Sequence, residues 1–219
     1  MNQHSSDAEA TANQPELVAL DPGDLPSQAA VANHRRILDV GCGRRHLKGE
    51  RVVTIDCNPQ VNPTIVHDLS KYPWPLEANT FDFIHCSQVI EHLPDIVDAI
   101  SEILRVAAPG CQVFIGVPHF SSAIAYRDPT HRTFFSVKTM SYFDERGVRY
   151  LDLRQDKCLE IVSQRITFST FWHRIGLAAL FNKIPRYYAE KLHGIFPAKF
   201  ITWELRVKAL DESVAQRAA

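Results

Sequence analysis

The chain has 219 residues, 45% of them apolar and 22% charged, enough for one α/β domain with its own core and short for two. Twenty-four Lys and Arg against 25 Asp and Glu leave a formal net charge of −1, so no global field draws in nucleic acid, and no nucleic-acid partner is expected. Five cysteines, an odd number without a CxxC pair, read as free buried thiols and not as a disulfide or zinc framework.

Residues 1–33 are rich in Ala, Ser, Asn, Gln, Asp and Pro without a sustained period, and are expected to be a disordered N-terminal tail before a folded domain at 34–219. They lack an apolar h-region, and nowhere is there a run of about 18 apolar residues, so no membrane span is expected and the expected compartment is the cytoplasm.

Strand-like segments then run at 36–40, stopped by Gly41-Cys42-Gly43, at 51–56, at 63–67, and, after a Tyr72-Pro-Trp-Pro75 loop, at 81–86. A helix is predicted next, with Pro94 in its first turn, Asp95 and Asp98 at the positive end of its dipole, and Ile96, Ile100, Ile103, Leu104 and Ala107 on one face. Pro109-Gly110 ends it, and 111–117 is another buried strand. Ser136 reads as the cap of a helix holding Val137, Met140 and Phe143. Alternation at 159–168 and 200–210 predicts two last strands, one antiparallel, around a helical, aromatic and basic stretch at 171–199. Strands alternating with helices argue for a mainly parallel sheet covered on both faces.

In such a sheet ligands bind beyond the carboxyl ends of the strands. There the chain offers Asp39-Val-Gly-Cys-Gly43 after the first strand, Asp56 at the end of the second, and Asp68-Leu69 after the third. Glycines let a ligand approach the backbone; a carboxylate can accept both hydrogen bonds of a ribose diol; Asp68 and Leu69 would offer an acceptor for an exocyclic amine and an apolar flank for an adenine. The structural alternatives are a tight turn at Gly41 and Gly43, a turn start at Asp56 and a cap at Asp68.

The segment Ile37-Leu-Asp-Val-Gly-Cys-Gly43 resembles motif I of the class I S-adenosylmethionine methyltransferases. Asp56 matches their ribose-binding acid, Asp68-Leu69 their adenine region, Phe81-Asp-Phe-Ile-His-Cys-Ser-Gln-Val-Ile-Glu-His-Leu93 their fourth-strand motif, and 106–115 the entry to their fifth strand. The resemblance covers about 36–117 and implies a Rossmann-like, doubly wound seven-stranded sheet with S-adenosyl-L-methionine as cofactor. It implies that Asp39, Gly41, Cys42, Gly43, Asp56, Asp68, Leu69 and Ser87 line the cofactor, Asp39 toward the methionine end and 87–92 near the methyl group. Two departures stand out: Arg45 replaces a frequent third glycine, and 44–50 is too short for the usual first helix. A loop or short helix is predicted there, leaving the cofactor's carboxylate to Arg44, Arg45 or backbone N–H groups. A nicotinamide-binding reading fails at His46, which stands where GxGxxG needs its third glycine, and the other rival is a non-catalytic nucleotide-binding scaffold.

Methyl transfer to oxygen or nitrogen calls for a base, and imidazole suits neutral pH. Of ten histidines, His92, His119 and His131 follow the fourth and fifth strands and are the candidate catalytic residues. His131 closes Asp128-Pro-Thr-His131, which resembles a DPTH segment of small bacterial methyltransferases, some associated with cell-surface sugar pathways. A metal set of His119, Asp128 and His131 has no standard ligand spacing, and no metal is expected. The reading is a small-molecule methyltransferase, a sugar or related metabolite being the leading acceptor and O-methylation the leading reaction, with nitrogen or protein acceptors as alternatives. The 171–199 stretch is read as core packing, with a lid or peripheral membrane docking toward a lipid-linked substrate as the sharper alternative.

Overall fold

The computed structural model describes residues 34–44, 47–150 and 156–210; the 1–33 tail, Arg45 and His46 lie outside them. Seven strands form one sheet: β1 (Ile37–Val40), β2 (Val52–Asp56), β3 (Ile65–Val66), β4 (Phe81–Ser87), β5 (Ala107–Pro118), β6 (Lys157–Ile166) and β7 (Phe200–Ala209). Their order is β3-β2-β1-β4-β5-β7-β6, parallel from β3 to β5, with β7 antiparallel to both β5 and β6. This is the mainly parallel Rossmann-like sheet with an antiparallel C-terminal strand.

Helix α1 (Ile96–Val106) starts one step later than Pro94 suggests, because Asp95 is the N-cap and accepts the Val97 and Asp98 N–H groups at 2.7 and 3.2 Å. Such a cap contributes about 1 kcal/mol. The predicted stop at Pro109-Gly110 is wrong: Ala107 has already turned to extended backbone and opens β5. Pro109-Gly110 instead falls in the irregular stretch where the β4–β5 register jumps from Phe81↔Ala107 to Phe83↔Gln112. The buried Lys157 ammonium donates to the Leu104 and Ala107 carbonyls, each at 2.8 Å, so a cation closes the negative end of α1.

The main core includes Leu38, Ile84, Val113 and Trp203 from the strands, with Ile100 and Ile103 of α1 and Met140 and Phe143 of a 3-10 turn at Thr139–Phe143. That turn stands where the helix after Ser136 was expected. Alternation sends Ile37, Phe83 and Phe114 to the opposite face, where they form a smaller cluster with Leu47 and Val52. The two faces are therefore unequally covered among the described residues. The cause is the short β1–β2 connection, whose described residues contain no helix. Short helices α2 (Ala123–Arg127), α3 (Glu145–Tyr150), α4 (Thr170–Arg174), α5 (Leu177–Lys183) and α6 (Pro185–Tyr187) complete the fold, with a π turn at Tyr188–Leu192. No described helix is long and apolar enough to cross a membrane. All five cysteines are unpaired, and four of them are buried.

Candidate active site

β1 pairs in parallel with both β2 and β4, so the carboxyl ends of the three strands lie side by side. The loop leaving β1 turns through Gly41 (φ +61°) and Gly43 (φ +52°), a left-handed conformation that suits glycine. The Gly41 N–H donates to the Ile55 carbonyl at 2.8 Å, tying the loop to β2. A Cβ on Gly41 would fall 2.3 Å from Val89 Cγ2, so the loops after β1 and β4 touch. Among the described residues, a Cβ on Gly43 would meet only the Gly41 carbonyl oxygen, at 4.0 Å, so they leave room for a ligand to approach that glycine.

The acids around this cradle are differently engaged. Asp39, 2% exposed, stands opposite His85 in the β1–β4 register. Its Oδ1 accepts His85 Nδ1–H at 2.7 Å and its Oδ2 accepts the Leu47 N–H at 2.8 Å. Asp39 thus braces the shortened loop, and the Leu47 amide is spent on it. Asp56 is also buried; its two oxygens accept the Gly43 N–H at 2.9 Å and the Asn58 N–H at 2.8 Å. Asp68 is exposed, and hydrogen bonds from the Ser70 hydroxyl and N–H hold its carboxyl below the usual range. Leu69 departs from expectation: its side chain is part of the main core, and its carbonyl accepts Trp74 Nε1–H at 3.1 Å. Burial, then the charges of Asp56 and Asp39, push the Cys42 thiol up to about 11, so it stays protonated. Ser87 ends β4, half-buried.

Beyond β4 the three candidate histidines separate. His92 and His131 meet edge to face, ring centroids 4.7 Å apart. His131 Nδ1–H donates to the Ala125 carbonyl at 2.9 Å. The Thr130 hydroxyl gives its proton to Asp128 at 2.7 Å, so it accepts from His92 Nδ1–H, also at 2.7 Å. Both rings thereby keep the lone pair on Nε2. Asp128-Pro129-Thr130-His131 accordingly does two things: it presents one histidine and fixes the tautomer of the other. Burial, then His131, lowers the His92 pKa. Beside them is Glu91, 1% exposed, whose Oε1 and Oε2 have no hydrogen-bond partner among the described residues. Burial pushes its carboxyl up to about 8. One donor atom from each of Glu91, His92 and His131 lies within 4.8 Å of the others, and among the described residues these three could hold a metal ion. His119 is elsewhere, fully buried against Tyr188 and Phe120, so among the described residues His119, Asp128 and His131 do not come together as a ligand set.

A parallel sheet with a glycine loop and acids at successive strand ends is a nucleotide-binding arrangement. The sequence also matches the family model described as "Methyltransferase domain" over residues 17–177. The chain belongs to the methyltransferase-domain family. Among curated proteins, this methyltransferase is 29% identical over 114 residues to a ubiquinone biosynthesis O-methyltransferase of Hahella chejuensis, a match covering 42% of the chain. The chain spans less than half the length of that relative, 46%. Among solved structures it resembles an S-adenosylmethionine-dependent methyltransferase from Mesorhizobium loti, with TM-score 0.51, 14% identity, and 84% and 94% of the two chains covered. Another, from Archaeoglobus fulgidus, has TM-score 0.49 and 21% identity over 80% of this chain and 86% of that one.

Two residues of this site, His85 and Glu91, lie in the fourth-strand motif but received no role of their own from the sequence. His85 was legible only through its register partner Asp39. Glu91 carried a signal, an acid set among Val89, Ile90 and Leu93, that an apolar flank makes costly unless it is used.

Proposed function

We propose that this methyltransferase uses S-adenosyl-L-methionine to methylate a hydroxyl oxygen of a small metabolite, with a sugar or related ring compound as the leading acceptor class. The observation that carries this reading is the His92–His131 pair, in which His92, on the same loop as the Val89 that touches Gly41, meets the ring of His131. The donor types around the cradle fit the cofactor. The room that the described residues leave at Gly43 suits a close-approaching ligand, the Gly41-Cys42-Gly43 backbone and Ser87 would line it, and Asp56 and Asp68 offer acceptors for hydroxyl and amino groups. Asp39 acts by holding the loop. When bound, the cofactor supplies an activated methyl group, so that an O–C bond forms as an S–C bond breaks and the sulfonium becomes a neutral thioether.

The chain's remaining tasks are to align the acceptor and take its proton. His92 and His131 present the basic nitrogens for that proton, whereas His119, fully buried, is a packing residue in this conformation. Tyr126 and Phe134 flank His131 in sequence, are both exposed and stack at 4.6 Å, an apolar surface for one face of an acceptor ring. The name of the Hahella relative, an O-methyltransferase, supports the choice of oxygen. The test is transfer of labelled methyl groups to a panel of sugars, phenols, amines and peptides. Transfer confined to amines or peptides would replace this reading with the nitrogen or protein alternatives; cofactor binding without turnover on any acceptor would leave a scaffold.

A lipid-linked acceptor is a second reading, favoured by one surface. Phe171, Ile175, Leu180, Ile184, Tyr187 and Ile195 are exposed, with Arg174, Lys183, Arg186 and Lys191 exposed among them. Apolar and basic side chains together suit an anionic membrane surface. Sedimentation with anionic vesicles should capture the chain and fail after Arg174→Ala, Lys183→Ala and Arg186→Ala together. Absent or unaltered capture removes this reading.

A further inference from the structure

We propose that Glu91, His92 and His131 form a binding site for a first-row divalent transition-metal ion of the zinc or manganese type, contrary to the expectation of no metal. Three independent features converge on it. First, two imidazoles and a carboxylate offer donor atoms within 4.8 Å of one another, a two-nitrogen, one-oxygen set that such ions accept while keeping further positions open. Coordination at about 2.0–2.2 Å brings donors to roughly 3–3.5 Å apart, a contraction within the reach of side-chain rotation.

Second, the carboxylate is buried and, beyond weak contacts with the Glu91 and Val89 backbone, has no side-chain hydrogen-bond partner among the described residues, although Glu91 itself is firmly placed. Its backbone carbonyl accepts the Arg132 N–H at 2.7 Å and the Thr133 N–H at 3.3 Å, which staples the β4 loop to the segment bearing His131. Buried polar atoms in folded proteins are nearly always satisfied, and two orphan oxygens on one carboxylate ask for a ligand. Third, each histidine has a supporting partner of the kind metal-bound imidazoles use. His131 Nδ1–H is held by the Ala125 carbonyl and His92 Nδ1–H by Thr130, itself anchored on Asp128. Both rings are thereby set in the tautomer that ligates through Nε2.

This rests on the acceptor reading above for its role but changes its base: with an ion on both imidazoles, neither Nε2 lone pair takes the acceptor's proton. An ion here would bind the acceptor oxygen in an open position and lower its pKa, the released proton passing to solvent in place of transfer to an imidazole. Ion binding itself is measured without turnover.

The experiment uses the full, untagged chain, stripped with a chelator and titrated calorimetrically with Zn²⁺ and with Mn²⁺, with bound metal counted by mass spectrometry. One ion per chain is expected for the wild type and for the surface control His67→Ala. Glu91→Gln and His131→Ala should each bind at least tenfold more weakly, with folding checked by circular dichroism. No stoichiometric ion, or binding undiminished in both Glu91→Gln and His131→Ala, overturns the proposal. Titrating the same samples with S-adenosylhomocysteine keeps the two readings apart. Intact nucleotide binding without an ion sinks only the metal site; ion binding that follows the variants, without nucleotide binding, upholds that site and sinks the cofactor assignment.

Discussion

Asp56 and Gly43, thirteen positions apart, are joined by a 2.9 Å hydrogen bond from the glycine N–H to the carboxylate. The acid proposed for the cofactor's ribose therefore also clamps the loop proposed to receive the rest of the nucleotide. One oxygen can serve both tasks, because each carboxylate oxygen has two lone pairs.

Replacing Asp56 should separate the tasks. Asp56→Asn keeps one oxygen acceptor, whereas Asp56→Ala leaves the Gly43 N–H without it. Titration with S-adenosylmethionine should show at least a tenfold loss of affinity for both, about 1.4 kcal/mol. Urea unfolding should show a loss of about 1–3 kcal/mol for Asp56→Ala and clearly less for Asp56→Asn. Wild-type affinity in both variants would remove Asp56 from the site.

Gly41 and Val89 should be energetically coupled. A methyl at Gly41 meets Val89 Cγ2 at 2.3 Å and sits on backbone with φ +61°. Gly41→Ala should cost roughly 1–3 kcal/mol from the backbone conformation alone, with the clash added. Val89→Ala removes both Cγ clashes, leaving a tight 3.2 Å contact to its Cβ and the φ penalty, so the double variant should be more stable than the sum of single effects by about 0.5–3 kcal/mol. Additive effects in a denaturation cycle would mean that the two loops do not press on each other.

What the sequence disclosed follows from the range of each signal. The parallel strands and the Gly41–Gly43 turn were readable because short apolar runs and glycine positions are local. Ala107 was misread as helical because its apolar side chain fits the α1 stripe, while its conformation is set by pairing with Phe81, a partner distant in sequence. Leu69 was misplaced for a similar reason: its neighbour Asp68 is exposed, and only tertiary packing decides which way an apolar side chain turns. The histidines were found, but not their grouping. Joining His92 to His131 depends on a loop returning from β5, which spacing does not encode.

The Asp39–His85 pair makes a prediction in a different observable. His85→Leu removes the 2.7 Å partner of a buried carboxylate and should lower the urea unfolding free energy by about 1–3 kcal/mol. Asp39→Ala also frees the Leu47 N–H from its 2.8 Å acceptor, so amide exchange at Leu47 should accelerate in that variant. Unchanged exchange at Leu47 would show that something other than Asp39 holds the shortened loop.

His119 should leave a pH signature on stability. Its Nδ1 accepts the Ser121 N–H at 3.2 Å, and burial, with His193 nearby, pushes its pKa down to about 4. In the unfolded chain the same ring titrates near 6.5. Between those values the unfolded chain binds a proton that the folded chain refuses, so stability rises with pH across this window. The contribution is complete above about 6.5 and is lost as pH falls toward 4, with a slope of at most about 1.4 kcal/mol per pH unit. His119→Gln removes the titrating group. On going from pH 7 to pH 4 the wild type should therefore lose on the order of 3 kcal/mol more than the variant, read by urea unfolding at each pH. Parallel curves for the two proteins would mean that the folded ring accepts its proton as readily as the unfolded one, and that this histidine is open to solvent after all.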